Sequence, residues 1–407
     1  MLRLLRQQNI ALLWWGGMIS AVGDWVLLIG LPIYVYNLTG STLATAAMFL
    51  AGLLPSLLLS SVAGVFVDRW DRRRTLVHVN LLLALGLLPL LMVHTATRVW
   101  IVYVVSFAES ALAQFAGPAL GALVPYLVDE GDLPAANALL ALSGNAARLG
   151  GPLLGGVLVT ALGLGGVALV DAASFLVAAV SIALINRSPA RPPLTTTGVA
   201  LVKRWTAIWQ DWWAGLGLVR TQPTLATVFL VMAITGVGEG VLTTLYVPFV
   251  TNVLHGTAVQ YGWLNAAQAF GGVIGSVVVG RVSTRVTPSR LLVWGLIGLG
   301  VVDLMIFDYS LFAPGVTPAL VLIAVGGIPA TAGWVNLITL LQTSVTDTYR
   351  GRVWGAFLTT EAATKLIGTT VAGAFGDYVG SRLLLNIQGG GLVVAGVVVL
   401  VRLRRHP

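Results

Sequence analysis

Runs of about twenty apolar residues recur along the whole chain, and their length restricts the fold more than any other feature. Only 9% of the 407 residues are charged and 57% are hydrophobic, with a mean hydropathy of +0.91. A soluble domain carries roughly 25% charged residues, so these few could not coat a water-facing surface of this size. The expected solvent is a bilayer, where each spanning segment must satisfy its own backbone hydrogen bonds, as a helix or within a closed barrel. Barrel strands would alternate over stretches of about ten residues, whereas these runs are continuous. At roughly 20 residues per span plus short loops, the chain accommodates about twelve spans. The expected fold class is an all-α membrane protein with twelve transmembrane helices.

The expected spans are 9–36, 41–66, 75–94, 98–126, 134–161, 165–186, 224–251, 257–280, 289–309, 317–344, 351–376 and 382–401. The opening MLRLLRQQNIALLWWGG has the basic start of a signal peptide. Its apolar run continues to about Tyr36, too long for a signal core, with no clear small-residue cleavage site, so it reads as a retained first span. Arginine decides orientation. Arg3 and Arg6, the run 69–74, the basic residues of 187–220, Arg281, Arg285, Arg290, Arg350, Arg352 and the C-terminal arginines fall on one side. The other side has only Arg98 and Arg382. The positive-inside rule therefore places both termini in the cytoplasm, with the plasma membrane of a prokaryote as the expected location.

The longest polar interruption, 187–220, opens on the helix-stopping stretch SPARPP and divides the chain in the middle. Within it Leu201, Trp205, Ile208, Trp209, Trp212, Trp213 and Leu216 share one helical face, opposite Lys203, Arg204 and Asp211. That pattern fits a helix lying on the inner membrane surface, and also a tether between two halves. The expected organisation is an N-terminal six-helix bundle over 1–186, a cytoplasmic linker over 187–223 and a C-terminal six-helix bundle over 224–407. An internal repeat supports this. ISAVGDWVL (19–27) aligns with ITGVGEGVL (234–242); Gly64, Arg69 and Arg74 align with Gly280, Arg285 and Arg290; AARLGG (146–151) aligns with ATKLIG (363–368). Six helices return a chain to the side it started from, so the two bundles are expected to be pseudo-symmetric and parallel.

Between the second and third spans stands GVFVDRWDRRRTL, residues 64–76. It resembles the loop signature of the major facilitator superfamily through Gly64, Asp68, Arg69, Arg72 and Arg73, with Asp71 where that family usually has glycine. The resemblance implies a cytoplasmic gate of these residues, echoed by Gly280, Arg285 and Arg290. Gly64 would allow close helix approach, Asp68 would pair or cap a helix N-terminus, and the arginines would bind carbonyls or acids. GPLLGG (151–156) is similar to the span-five motif of the superfamily's drug exporters. Gly151, Pro152, Gly155 and Gly156 would then form a small-residue packing face with a proline bend. The segments 115–139 and 340–353 look like the branch that holds enterobactin exporters and macrolide efflux proteins. The arginine usual in span four of proton antiporters is missing, and Glu109 and Gln114 are the polar residues there.

An ionisable group inside a span costs about 3 kcal/mol or more at mid-depth, so each needs a reason. Asp24 lies about 22 Å along span one at ~1.5 Å per residue, and Glu239 has the same depth in span seven. Arg148 and Lys365 are central in spans five and eleven, Glu361 lies one turn before Lys365, and Glu109 and Asp303 are near the middle of spans four and nine. Asp171 reads as closer to the outer surface. A fixed Glu361–Lys365 pair suits the i, i+4 spacing. Asp24 and Glu239 have no basic neighbour in sequence and are expected in a central cavity. A low-dielectric wall favours the protonated form of a carboxylate, which a proton-coupling site requires. Arg148 and Lys365 form a symmetric pair of cations suited to an anionic substrate group or to acid partners. Asp24, Glu109, Arg148, Glu239, Asp303, Glu361 and Lys365 are therefore the candidate coupling and substrate residues.

The chain has no cysteine and its four histidines are scattered, so neither disulfides nor a metal site are expected. It has no GxxxxGK[ST] loop, which disfavours ATP-driven pumping. A net charge of +8 fits cytoplasmic loops better than a nucleic-acid partner. The expected function is secondary active export of an amphipathic small molecule, drug-like or siderophore-like, by alternating access with proton antiport. Lysophospholipid flipping and a non-transporting receptor or scaffold on the same fold are the alternatives. The expected partners are a small molecule, protons and the lipid bilayer; no cofactor, catalysis or nucleic acid is expected, and the chain is expected to be monomeric.

Overall fold

Segments that must close their backbone hydrogen bonds internally become helices, and the computed structural model is 91% helical with no strand among the described residues. It describes residues 2–186, 217, 219, 222–313, 315–345 and 347–404. The surface-lying helix expected within 187–220 falls outside the described residues, apart from 217 and 219. The first helices are α1 (Gln8–Thr39), α2 (Thr42–Arg69), α3 (Arg72–Leu87) and α4 (Trp100–Leu123). A run over Leu133–Ala183 follows and divides into α5 (133–162) and α6 (164–183). The remaining helices are α7 (Pro223–Pro248), α8 (Ala258–Val282), α9 (Pro288–Asp308), α10 (Thr317–Thr343), α11 (Asp347–Val379) and α12 (Ser381–Arg404).

Among the described residues, ten helices are long and apolar enough to cross a membrane, against twelve expected spans. The difference has two physical reasons. The Leu133–Ala183 run is 51 residues long, more than twice what a hydrocarbon layer of ~30 Å needs at ~1.5 Å per residue. Gly163, with φ 64° and ψ −172°, breaks it in a conformation that only glycine adopts freely. The second reason is α11, which is long enough but carries Asp347, Arg350, Arg352, Glu361, Lys365 and Asp377.

Two compact units emerge. The first comprises Met1–Gly40, Ala47–Thr196 and Ala258–Ala266; the second comprises Ser41–Ala46, Thr197–Thr257 and Ala267–Pro407. In the first unit α1 lies along both α5 and α6, and the Trp14 indole N–H donates to the Leu139 carbonyl at 2.8 Å. The GPLLGG face makes the close approach possible. A Cβ at Gly151 would collide with Trp25, and one at Gly155 would stand 3.0 Å from Ile29 Cβ and 3.1 Å from the Val26 carbonyl oxygen. Gly156 faces the first turn of α8, where an added Cβ would lie 2.5 Å from the Ala258 carbonyl oxygen. Leu13, Trp14, Val67, Leu76, Leu123 and Ile182 fill this unit's core.

In the second unit α9 packs on α10 and α12, while α7 packs on α11 and α12. Leu225, Met232, Leu292, Phe357 and Leu392 are buried between them. Large apolar side chains also line the exterior: Leu85, Trp100, Val321 and Ile387 expose more than half of their surface. Such a density of apolar exposure suits lipid tails rather than water.

Candidate functional site

The first unit brings three carboxylates together. Asp24 of α1, Glu109 of α4 and Asp171 of α6 each place one oxygen within 4.8 Å of the others. Asp24 is exposed, Glu109 half-buried and Asp171 fully buried. Local sequence explains the meeting. At Gly23 a Cβ would overlap Asp171 Oδ1 and Ser174 Oγ, so the glycine lets α6 press its polar face against the backbone of α1. The Ser174 hydroxyl, 2.8 Å from the Asp171 carbonyl oxygen and 3.0 Å from Oδ1, fixes that carboxylate. Two unit negative charges at this separation repel by about 3 kcal/mol at an effective dielectric near 20. Three ionised acids would therefore require protons or a cation. Asp24 forms no hydrogen bond or ion pair with a described residue.

Sequence reading left Asp171 out of the site because counting along its own helix set it near the outer surface. The signal that could have found it is the repeat. At the offset of 217 that relates Arg148 to Lys365, Asp171 corresponds to Gln388, itself bonded to a buried acid.

The second unit treats its acids differently. Lys365 of α11 meets Glu239 of α7 at 3.4 Å. One expectation is thereby corrected: Lys365 forms its ion pair not one turn back with Glu361 but with Glu239, which has no basic neighbour in sequence. Local spacing suggested the first pairing, but a glycine seam between α7 and α11 overrides it. A Cβ at Gly236, Gly240 or Gly368 would collide with the facing helix, so the two backbones run close enough for the side chains to meet. Asp303 is buried at 8% exposure and accepts a hydrogen bond from Gln388 Nε2 at 3.1 Å. Glu361 is half-buried on α11. Arg148 is exposed and pairs with no described residue, so the two repeat-related cations stand in unlike surroundings.

Of the expected gate, Gly64, Asp68 and Arg69 lie in α2, and their side chains fall outside the described residues. Asp71, where a glycine resembling the family pattern would stand, caps α3 instead: its Oδ1 accepts the Arg74 backbone N–H at 2.8 Å. Arg73 donates through Nε to the Ile182 carbonyl at 3.1 Å and through Nη2 to that of Ala183, satisfying the C-terminus of α6. Arg72 sits over the Tyr126 ring at 4.8 Å. These arginine contacts lie inside the first unit. Gly280 is exposed with nothing within 4 Å of an added Cβ, so it makes no close helix approach, and Arg285 and Arg290 are exposed beside it. Sequence reading also missed Asp377 in the second unit. Its carboxylate accepts the Thr42 backbone N–H at 3.1 Å and lies 3.4 Å from the Ser41 hydroxyl, capping the start of α2 from the end of α11.

The metal expectation was drawn from cysteine and histidine alone. Among the described residues, Asp24, Glu109 and Asp171 are the one group of three or more metal-ligand side chains whose donor atoms converge.

Residues 2–406 match the protein family described as transmembrane secretion effector. The enterobactin exporter EntS of Escherichia coli is 26% identical, the alignment covering 95% of this chain and 90% of the relative. Macrolide efflux protein A of Streptococcus pyogenes is 21% identical, covering 95% and 94%. The crystal structure of a bacterial homologue of the iron transporter ferroportin in an inward-facing state superposes with a TM-score of 0.78 at 16% identity, covering 98% of this chain and 99% of that one. At that identity the likeness concerns the fold.

Proposed function

The chain belongs to the transmembrane secretion effector family of the major facilitator superfamily, and on that basis we propose that it exports an amphipathic small molecule by alternating access, driven by proton antiport. That it is an integral membrane transporter with efflux relatives follows from the family and from the helices. A drug-like or siderophore-like substrate accords with relatives that carry enterobactin and macrolides.

One observation carries the coupling: Asp24 and Glu239 occupy matching positions of the two repeats, inside spans, where an ionisable group needs a functional reason. Asp24, solvent-accessible and without a described partner, takes and releases the proton. Glu239 exchanges its contact with Lys365 for a proton as transport proceeds, and Arg148 offers a free cation to an anionic substrate group. Glu109, Asp303 and Glu361 assist as further acids within the spans. The bundles over 1–186 and 224–407, joined by 187–223, act as the two moving halves of one monomer, with both termini cytoplasmic. Gly64, Asp68, Arg69, Arg72 and Arg73, with Gly280, Arg285 and Arg290, form the cytoplasmic gate.

Inverted membrane vesicles containing the protein, energised to an acidic interior, test the proposal. They should accumulate macrolides, catecholate siderophores or amphipathic dyes, and a protonophore should release the accumulated compound. Vesicles that accumulate none of these above a transporter-free control, despite normal expression, would overturn it.

A further inference from the structure

We propose that Asp24, Glu109 and Asp171 together bind one hard divalent cation. Oxygens that share an ion at a metal–oxygen distance of about 2.1–2.5 Å lie no more than roughly 4–5 Å apart. The three carboxylates already meet that limit, with one oxygen from each inside 4.8 Å.

Convergence of acids alone would not make a site, and Asp171 supplies the second observation. It is fully buried, and its Oδ2 has no hydrogen-bond partner among the described residues. Its other oxygen lies 3.0 Å from the Ser174 hydroxyl and against the bare backbone of Gly23. The carboxylate is thus held in place by one oxygen while the other is left for a ligand. A buried polar atom in this condition is unfavourable unless something pairs with it.

The second unit shows what the first lacks. There Glu239, the repeat counterpart of Asp24, has Lys365 at 3.4 Å. Gln388, the counterpart of Asp171, donates to Asp303 at 3.1 Å. Protein cations and amides stabilise the acids of that half. No described basic side chain forms an ion pair with Asp24, Glu109 or Asp171, and Arg148 is exposed. Three converging acids, one of them fully buried, call for positive charge from outside the chain.

The donor set fixes the class of ion. It is all carboxylate oxygen, with neither nitrogen nor sulfur, which suits magnesium, manganese or calcium rather than zinc or copper. Exposed Asp24 gives the ion a way in, and water completes its coordination there. The inference shares two carboxylates with the proton reading yet does not depend on coupling, because ion binding is measured without substrate or gradient.

The test is Mn2+ titration of the purified full-length protein in detergent, followed by the electron paramagnetic resonance signal of free Mn2+. One saturable ion per chain is expected, displaced by excess Ca2+. Asp171→Asn and Asp24→Asn should each weaken it by more than the roughly 10–100-fold that loss of an outer partner brings. Asp308→Asn, an acid of the second unit bonded to Asn386 at 2.8 Å, should leave it unchanged. If Asp171→Asn does not fold, Asp24→Asn and Glu109→Gln decide the question. Absence of saturable binding in the wild type would overturn the proposal and leave the cluster to protons. So would binding that survives these substitutions, or that falls equally in Asp308→Asn.

Discussion

Gly240→Ala is the sharpest single perturbation of the seam that places Lys365. A Cβ there would stand 2.6 Å from the Thr369 nitrogen and 3.0 Å from the Gly368 carbonyl carbon, besides colliding with the Lys365 carbonyl oxygen. All three obstacles are backbone atoms of α11, so no side chain can swing aside. Ordinary contact begins near 3.4 Å, which requires α7 and α11 to separate by close to an ångström. Overpacking of this kind costs about 1–3 kcal/mol. The gain from replacing a helical glycine by alanine, at most about 1 kcal/mol, opposes it. The net expectation is a loss of about 1–2 kcal/mol. At about 2 °C or less per kcal/mol for a chain this long, tryptophan-fluorescence melting in detergent should show a fall of a few degrees. Transport should fall with it, because separation of the helices lengthens the 3.4 Å contact between Lys365 and Glu239. Gly117→Ala in α4 is the control, since nothing lies within 4 Å of its added Cβ; its Tm should hold or rise. A Gly240→Ala protein as stable as the wild type, or an equal loss in Gly117→Ala, would refute the close-packed seam.

Two further outcomes follow from single contacts and from charge. Asp71→Ala removes the cap on α3 and should cost about 1 kcal/mol, read as a lower Tm, while Asp71→Asn keeps an accepting oxygen and should stay near the wild type. Cysteines introduced at exposed Thr97 and Phe312 should react with an impermeant maleimide from outside the cell, and those at exposed Thr284 and Thr287 only after the membrane is opened; the reverse pattern would invert the assigned orientation.

Much of the fold was legible because composition and span length decide it: a chain this apolar has few other ways to satisfy its backbone in lipid. The repeat likewise puts Asp24 and Glu239 on equivalent positions of the sequence. Pairing across helices was not legible. Glu361 and Lys365 are neighbours along one helix, yet Lys365 reaches a residue 126 positions away because Gly240 and Gly368 bring another helix closer. Asp171 was left out of the site for the same reason. Its depth along α6 says little, and what matters is Gly23 on α1, which admits its carboxylate toward Asp24. The contact of Asp377 with Thr42 spans 335 residues, a distance at which no local pattern operates. Asp71 taught the opposite lesson. An apparent departure from a loop motif was an N-cap, three residues before the backbone N–H it accepts, and its local signature was present in the sequence.

The central claim is that acids within the spans couple proton entry to substrate exit. Substrate-evoked proton flux in proteoliposomes, read with an internal pH dye, tests it most directly. The wild-type protein should move protons opposite to an imposed substrate gradient. A protein carrying both Asp24→Asn and Glu239→Gln should still bind substrate but show no substrate-evoked flux and no uphill accumulation. Unchanged proton flux and uphill accumulation in that double variant would contradict the account and move coupling to Glu109, Asp303 or Glu361.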